Sequence, residues 1–242
     1  MHTHKRKALL VVSAHRELGE IEKATGFCYE TLAMQYWGLL DYGFDVDIAS
    51  INGGRAPANP AYLDDVAQRS KSLRRFLTHG ASVAKIEHSL AISDINVADY
   101  TMVVLIGGYG ALWDFPTSTH LAYAVSQCFD EGILLGAVGE GVAGLTYARH
   151  TMLGCEAPDV PVVDGRQMTC FSDAELEAAG LLTLAPFSLQ QKLAAQGAKL
   201  SFNQAHEPCV RRDGDLVTGQ NSASADLVVQ ALLQRHRERF KE

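Results

Sequence analysis

Ile133-Leu134-Leu135-Gly136-Ala137-Val138-Gly139-Glu140-Gly141 runs an unbroken apolar stretch straight into a small-x-small turn. A strand covered on both faces reads this way, and the pattern after Gly141 is helical to about Arg149. A strand feeding a helix through such a turn lifts one residue above the sheet edge. The first amides of the helix then point at the same spot, where they favour negative charge. The lifted position here is Gly139, which has no side chain to attack with. An ordinary tight strand–helix turn is the plainer reading of the same residues.

The rest of the chain repeats the alternation. Lys7–Ser13 is an apolar run, Glu30–Tyr42 an amphipathic helix stopped by Gly43, and Phe44–Ser50 a second strand. Tyr100–Ile106 is a third strand and ends in Gly107-Gly108-Tyr109-Gly110. Ser118–Glu131 is a helix, and Ile133–Val138 is the fourth strand. Residues 61–90 are polar and helical in character, as in an insertion lying on the core. After a short strand at Gln167–Phe171, Ser172 and Glu175 have capping-box spacing. A helix at Phe187–Gln196, a hairpin around Asp213-Gly214 and a final helix at Asn221–Phe240 follow. This order predicts one α/β domain over 1–242, a mostly parallel sheet with helices on both faces. In such sheets ligands bind beyond the carboxyl ends of the strands. That directs attention to His15, the Gly107–Gly110 loop and the Gly139–Gly141 turn.

The 242 residues are 47% hydrophobic and 20% charged, with a net charge of −7. This is a globular composition. The negative balance argues against nucleic acid and anionic membrane surfaces as partners. The apolar runs fall short of the ~20 residues that cross a bilayer, and the basic N-terminus leads into a strand, not a signal peptide. Cys28, Cys128, Cys155, Cys170 and Cys209 are scattered with no CxxC. Reduced thiols in a cytoplasmic protein are the expectation. His2 and His4 form an HxH pair, but nothing else has ligand spacing, so no metal is expected.

Several ordered motifs resemble the ThiJ/PfpI superfamily, in particular the branch of glutathione-independent glyoxalase (glyoxalase III) and its heat-shock chaperone relatives. Thr25-Gly26-Phe27-Cys28-Tyr29-Glu30 is similar to the family's TGF-x-x-E. Gly107-Gly108-Tyr109-Gly110 with Trp113-Asp114-Phe115-Pro116 resembles GGHG…D-x-P. Residues Thr169–Glu175 resemble TGFSN-x-E, and residues Asp213–Ala225 resemble DG-x-L-x-TGQNPASA. The resemblance runs over nearly the whole chain and implies a flavodoxin-like three-layer sandwich. It also implies a cofactor-free protein, a small-molecule substrate and a homodimer. The family's working elbow is AVCHG, whereas this chain has Ala137-Val138-Gly139-Glu140-Gly141, and GGHG has become GGYG. The nucleophilic cysteine and its histidine are both replaced.

What the resemblance retains is Glu30, which matches the family's proton-moving glutamate. In an apolar pocket its pKa is expected to rise toward the range useful for proton transfer. Glu140 is expected to be ionised by the helix N-terminus, so that two carboxyls divide acid and base roles. Tyr109 would donate to an oxyanion, helped by the amides of Gly108 and Gly139, and His15 would stand at the pocket mouth. Each has a plainer alternative: a helix-start carboxylate for Glu30, a solvated or paired carboxylate for Glu140, packing for Tyr109, and a surface loop for His15. Glu175 is expected to cap its helix, and Cys28 and Cys170 to be buried inert thiols. Three functions follow in order. The first is a lyase-, hydratase- or isomerase-type proton transfer on a small carbonyl compound. The second is an inactive relative that binds or chaperones. The third is residual glyoxalase activity without a thiol.

Overall fold

The computed structural model describes residues 6–64, 69–150 and 160–240. Strand β1 (Lys7–Val12) shows why its sequence is apolar after Lys7. Leu9 and Val11 enter one core, while Ala8, Leu10 and Val12 enter another on the opposite face. A strand's period of two divides the run between two layers.

After β1 come a small antiparallel hairpin, β2 (Glu17–Leu18) with β3 (Ile21–Ala24), then α1 (Tyr29–Asp41) and β4 (Asp45–Ser50). The polar stretch holds α2 (Lys71–Thr78) and α3 (Gly80–Glu87), followed by β5 (Leu90–Ala91). Next are β6 (Met102–Leu105), the short α4 (Ala111–Asp114), α5 (Thr119–Glu131) and β7 (Leu134–Val138). The second half contains β8 (Gln167–Met168), α6 (Asp173–Ala178), α7 (Leu189–Ala195), β9 (Lys199–Leu200), the hairpin β10 (Val210–Asp213) with β11 (Leu216–Gly219), and α8 (Ala225–Phe240).

Seven strands form the main sheet in the order β10-β11-β7-β6-β1-β4-β5. All neighbours are parallel except β10 with β11. Helices α1, α2 and α8 cover one face and α5 covers the other. This is the flavodoxin-like α/β sandwich expected.

Three details differ from the sequence reading. The segment after β7 is a 3-10 helix, Gly139–Leu145, and not an α-helix to Arg149. The 167–171 strand shrinks to β8, which pairs with β9 outside the main sheet. The β2–β3 hairpin was not anticipated, because its β3 residues are all exposed and carry no apolar alternation. No helix among the described residues is long and apolar enough to cross a membrane. His2, His4 and Cys155 lie outside the described residues.

Candidate active site

The carboxyl ends of β6 and β7 meet the start of α1 over a very small cavity. Its wall includes Cys28, Tyr109, Gly139, Glu140, Phe171 and Ser222, and its volume is about 20 Å³. That is room for about one water molecule.

Gly139 holds the elbow conformation, with φ +60°. A glycine tolerates this left-handed backbone without the Cβ clash other residues incur. A Cβ would fit there in ordinary van der Waals contact. A Cβ built there has its nearest neighbours, Asn221 Cα and the Gln220 carbonyl oxygen, at 3.9 Å. The turn geometry of the elbow is present and the reactive group is not.

Glu140 follows and turns inward. Its Oε2 accepts the Gly108 amide at 2.9 Å, and the residue is 7% exposed. Burial pushes the carboxyl up to about 7, helped by the negative charge of Glu175 and opposed by the amides of Glu140 and Gly108. This overturns the expectation that the helix end keeps Glu140 ionised. The helix is a seven-residue 3-10 turn, and the cost of desolvating the charge exceeds what its amides return. The same contact corrects the proposed oxyanion site, since the Gly108 amide is already occupied by a carboxylate oxygen.

Tyr109 stands beside this pair, its ring edge-on to Phe171 at a centroid distance of 6.0 Å. Burial raises its phenol further above the ordinary value, with Glu140 adding to the effect. It therefore stays protonated and able to donate.

Glu30 is directed elsewhere. Its Oε1 accepts the Ser70 amide at 2.8 Å, tying the first turn of α1 to the residue that caps α2. It is not among the residues lining the cavity. The structure brings Glu140, Tyr109 and Gly139 together and leaves Glu30 outside. His15 lies beyond the β1 exit, its ring parallel to Trp113 at 5.2 Å with Nε2 on the Glu17 carbonyl oxygen. It too is outside the cavity wall.

Cys28, read from sequence as an inert thiol, is a cavity residue. It N-caps α1, its Sγ accepting from the Thr31 amide at 3.5 Å and the Thr31 hydroxyl at 3.2 Å. Its place two residues before Glu30 in the opening motif was the available signal. Phe171 and Ser222 were likewise inside quoted motifs without being singled out. Glu175 closes its capping box as expected, and it does more. It is fully buried and also accepts from Gln220 Nε2, Asn221 Nδ2 and the His206 amide.

No family model matches the chain. It is 30% identical over 154 residues to the probable glutathione-independent glyoxalase hsp3104 of Schizosaccharomyces pombe, an alignment covering 61% of this chain and 66% of that protein. It is 26% identical over 240 residues to the glutathione-independent glyoxalase hsp3102 of the same yeast, covering 93% and 95%. Among solved structures, the Francisella tularensis Rapid Encystment Protein 24 KDa superposes with a TM-score of 0.88 at 28% identity, covering 95% of this chain and 98% of that one. Glyoxalase III of Candida albicans shares the fold, with a TM-score of 0.78 at 20% identity and coverage of 96% and 98%. So does a ThiJ/PfpI domain protein of Brachyspira murdochii, with a TM-score of 0.62 at 14% identity and coverage of 97% and 98%. The chain is thus a relative of the glutathione-independent glyoxalases over nearly its whole length, and it has the fold of the ThiJ/PfpI domain proteins.

Proposed function

We propose that this protein catalyses proton transfer on a small carbonyl compound, without a thiol nucleophile. The observation that carries this reading is Glu140, a buried carboxyl that titrates at about 7 on the wall of the family's site. A group poised near the working pH can take a proton from carbon and return it to carbon or oxygen. Glu140 therefore fills the acid–base role that the sequence suggested for Glu30. Tyr109, held protonated by burial, donates to the carbonyl oxygen as charge develops on it. Glu30 contributes by fixing the start of α1 against Ser70, and Cys28 lines the same cavity as Glu140. The substrate enters when Tyr109 and Phe171 move apart, because the cavity of about 20 Å³ holds no more than about one water while they are in contact.

The cavity size favours a second reading, a non-catalytic binding protein. In that case Glu140 occupies the Gly108 amide permanently and Tyr109 fills the space.

The test is turnover of methylglyoxal to lactate, paired with exchange of the carbon-bound protons of dihydroxyacetone in D2O followed by NMR. The proteins are wild type, Glu140→Gln, Glu30→Gln and wild type treated with iodoacetamide. The expected result is activity that follows a group titrating near 7, disappears in Glu140→Gln and survives thiol blocking. Neither turnover nor exchange in wild type would remove the catalytic reading and leave the second. Activity lost in Glu30→Gln but kept in Glu140→Gln would return the acid–base role to Glu30.

A further inference from the structure

On the far side of the first turn of α1 lies a much larger cavity, of about 550 Å³, walled by Tyr29, by the 55–58 segment and by α2 and α3. It is separate from the elbow cavity, although consecutive residues, Cys28 and Tyr29, face the two spaces. Its size falls in the range of small-molecule sites.

The wall has two chemical halves. One is apolar, made by Ala56, Pro57, Leu77, Val83 and Ile86. The other carries Arg55, Glu87, Arg16 and the Tyr29 phenol. Arg55 Nε lies 3.2 Å from a Glu87 carboxylate oxygen, while Arg16 has no ion pair among the described residues. Two guanidiniums against one carboxylate leave the rim with a surplus of one positive charge. Tyr29 is 7% exposed, yet its hydroxyl has no hydrogen-bond partner among the described residues. Burial raises its phenol above the ordinary value, with Glu87 adding and Arg55 opposing, so the hydroxyl lies in the field of that ion pair. A phenol that makes no hydrogen bond to the described residues and stands in the cavity wall beside a cation is free to donate to a ligand oxygen. Thr25, in the same wall, is 1% exposed and its hydroxyl is also unpartnered.

The wall is held in place from both ends. Glu30 Oε1 on the Ser70 amide fixes the start of α2. Further along α2, both terminal nitrogens of Arg75 engage the Asp41 carboxylate, at 2.6 and 2.9 Å. This gives Glu30 a task on the far side of α1 from the elbow.

We propose that this cavity is a binding site for small amphiphilic monocarboxylates, distinct from the elbow site. The carboxylate meets Arg55, with the unpaired Arg16 supplying the charge that offsets Glu87, and takes the Tyr29 hydroxyl as a donor, while the apolar body lies against Leu77, Val83 and Ile86. One surplus positive charge matches one carboxylate, and an oxygen acceptor satisfies the phenol.

The test uses 4-phenylbutyrate as probe, with 4-phenylbutylamine and 4-phenylbutanol as cationic and neutral matches. Binding is followed by saturation-transfer NMR and calorimetry. The proteins are wild type, Tyr29→Phe, Arg55→Gln and Glu140→Gln, each checked for an unchanged melting profile. Tyr29→Phe keeps the ring that packs edge-on to Phe27 and Phe76, and Arg55 has a side chain 77% exposed, so both variants are expected to fold. The expected result is saturable binding of phenylbutyrate, weakened at least about fivefold by Tyr29→Phe and by Arg55→Gln and unchanged by Glu140→Gln. The amine should bind more weakly than the acid. Three results would overturn the proposal: no saturable binding, equal affinity in wild type and both pocket variants, or an amine that binds as well as the acid. Binding abolished by Glu140→Gln would place the probe at the elbow and overturn it as well.

Discussion

The Gly108 amide donates to Glu140 Oε2 at 2.9 Å, so the loop leaving β6 grips the first residue beyond the elbow of β7. The contact crosses between neighbouring strand exits, the place where open α/β sheets put their ligands. In this protein the carboxyl of Glu140 occupies that crossing, and its protonation depends on being sealed there.

A stability difference follows. The ordinary carboxyl value is 4.5, and burial moves Glu140 to about 7. Between those values the folded chain holds a proton that the unfolded chain has released. Stability from this group is therefore complete below about pH 4.5, declines as pH rises toward 7, and is lost above it. Glu140→Gln keeps an oxygen for the Gly108 amide and has no proton to lose. It is expected to match wild type at about pH 4.5 and to be more stable at pH 8.5, by up to about 3 kcal/mol. Urea unfolding of both proteins at the two pH values checks this, and a gap that does not widen with pH would contradict the buried assignment.

The elbow and the loop beside it should respond unequally to a new Cβ. At Gly139 the φ of +60° is strained for other residues, but the nearest atoms are 3.9 Å from a built Cβ. Gly139→Cys, which restores the residue type of the related motif, is expected to fold and to lose about 1–2 kcal/mol. At Gly108 the φ is +126°, and a Cβ would come within 2.5 Å of the Cys28 amide nitrogen and the Gly26 carbonyl oxygen. Backbone atoms cannot yield as a flexible side chain does, so Gly108→Ala is expected to cost about 3 kcal/mol or more. Urea midpoints of the two variants rank them. Equal losses would mean that the two turns are not packed as described.

These two glycines also mark how far the sequence could be read. The run into Gly139 contains a strand, a turn and an elbow residue without a side chain in nine consecutive residues, so this part of the fold and of the candidate site is local information. The protonation of Glu140 is not. The helix-end argument uses only neighbouring amides, whereas the burial of the carboxyl depends on segments distant in sequence, among them those that bring Tyr109 and Phe171 to the same cavity wall. The contact of Glu30 is non-local as well. Its partner Ser70 lies forty positions on, in a polar stretch with few apolar anchors whose docking on α1 leaves no periodic signal. The large cavity beside Tyr29 was invisible because its wall is assembled from that same stretch and the segment after β4.

Glu175 offers the sharpest separation between a local and a long-range role. As a capping-box residue it accepts from the Ser172 amide at 3.0 Å and the Ser172 hydroxyl at 2.8 Å. Losing a cap of this kind costs about 1 kcal/mol. The same carboxylate also takes Gln220 Nε2 at 3.1 Å, Asn221 Nδ2 at 2.7 Å and the His206 amide at 3.0 Å. Gln220 and Asn221 are the residues whose backbone stands behind Gly139, so Glu175 fixes the wall against which the elbow rests. Glu175→Ala would leave several buried donors without an acceptor, each costing about 1–3 kcal/mol less whatever water recovers. The expected loss is about 3–5 kcal/mol, against about 1 kcal/mol for Ser172→Ala, measured by urea unfolding at pH 7. Similar losses in the two variants would reduce Glu175 to a helix cap. A much larger loss in Glu175→Ala would establish it as the anchor joining the start of α6, the loop at His206 and the back of the elbow.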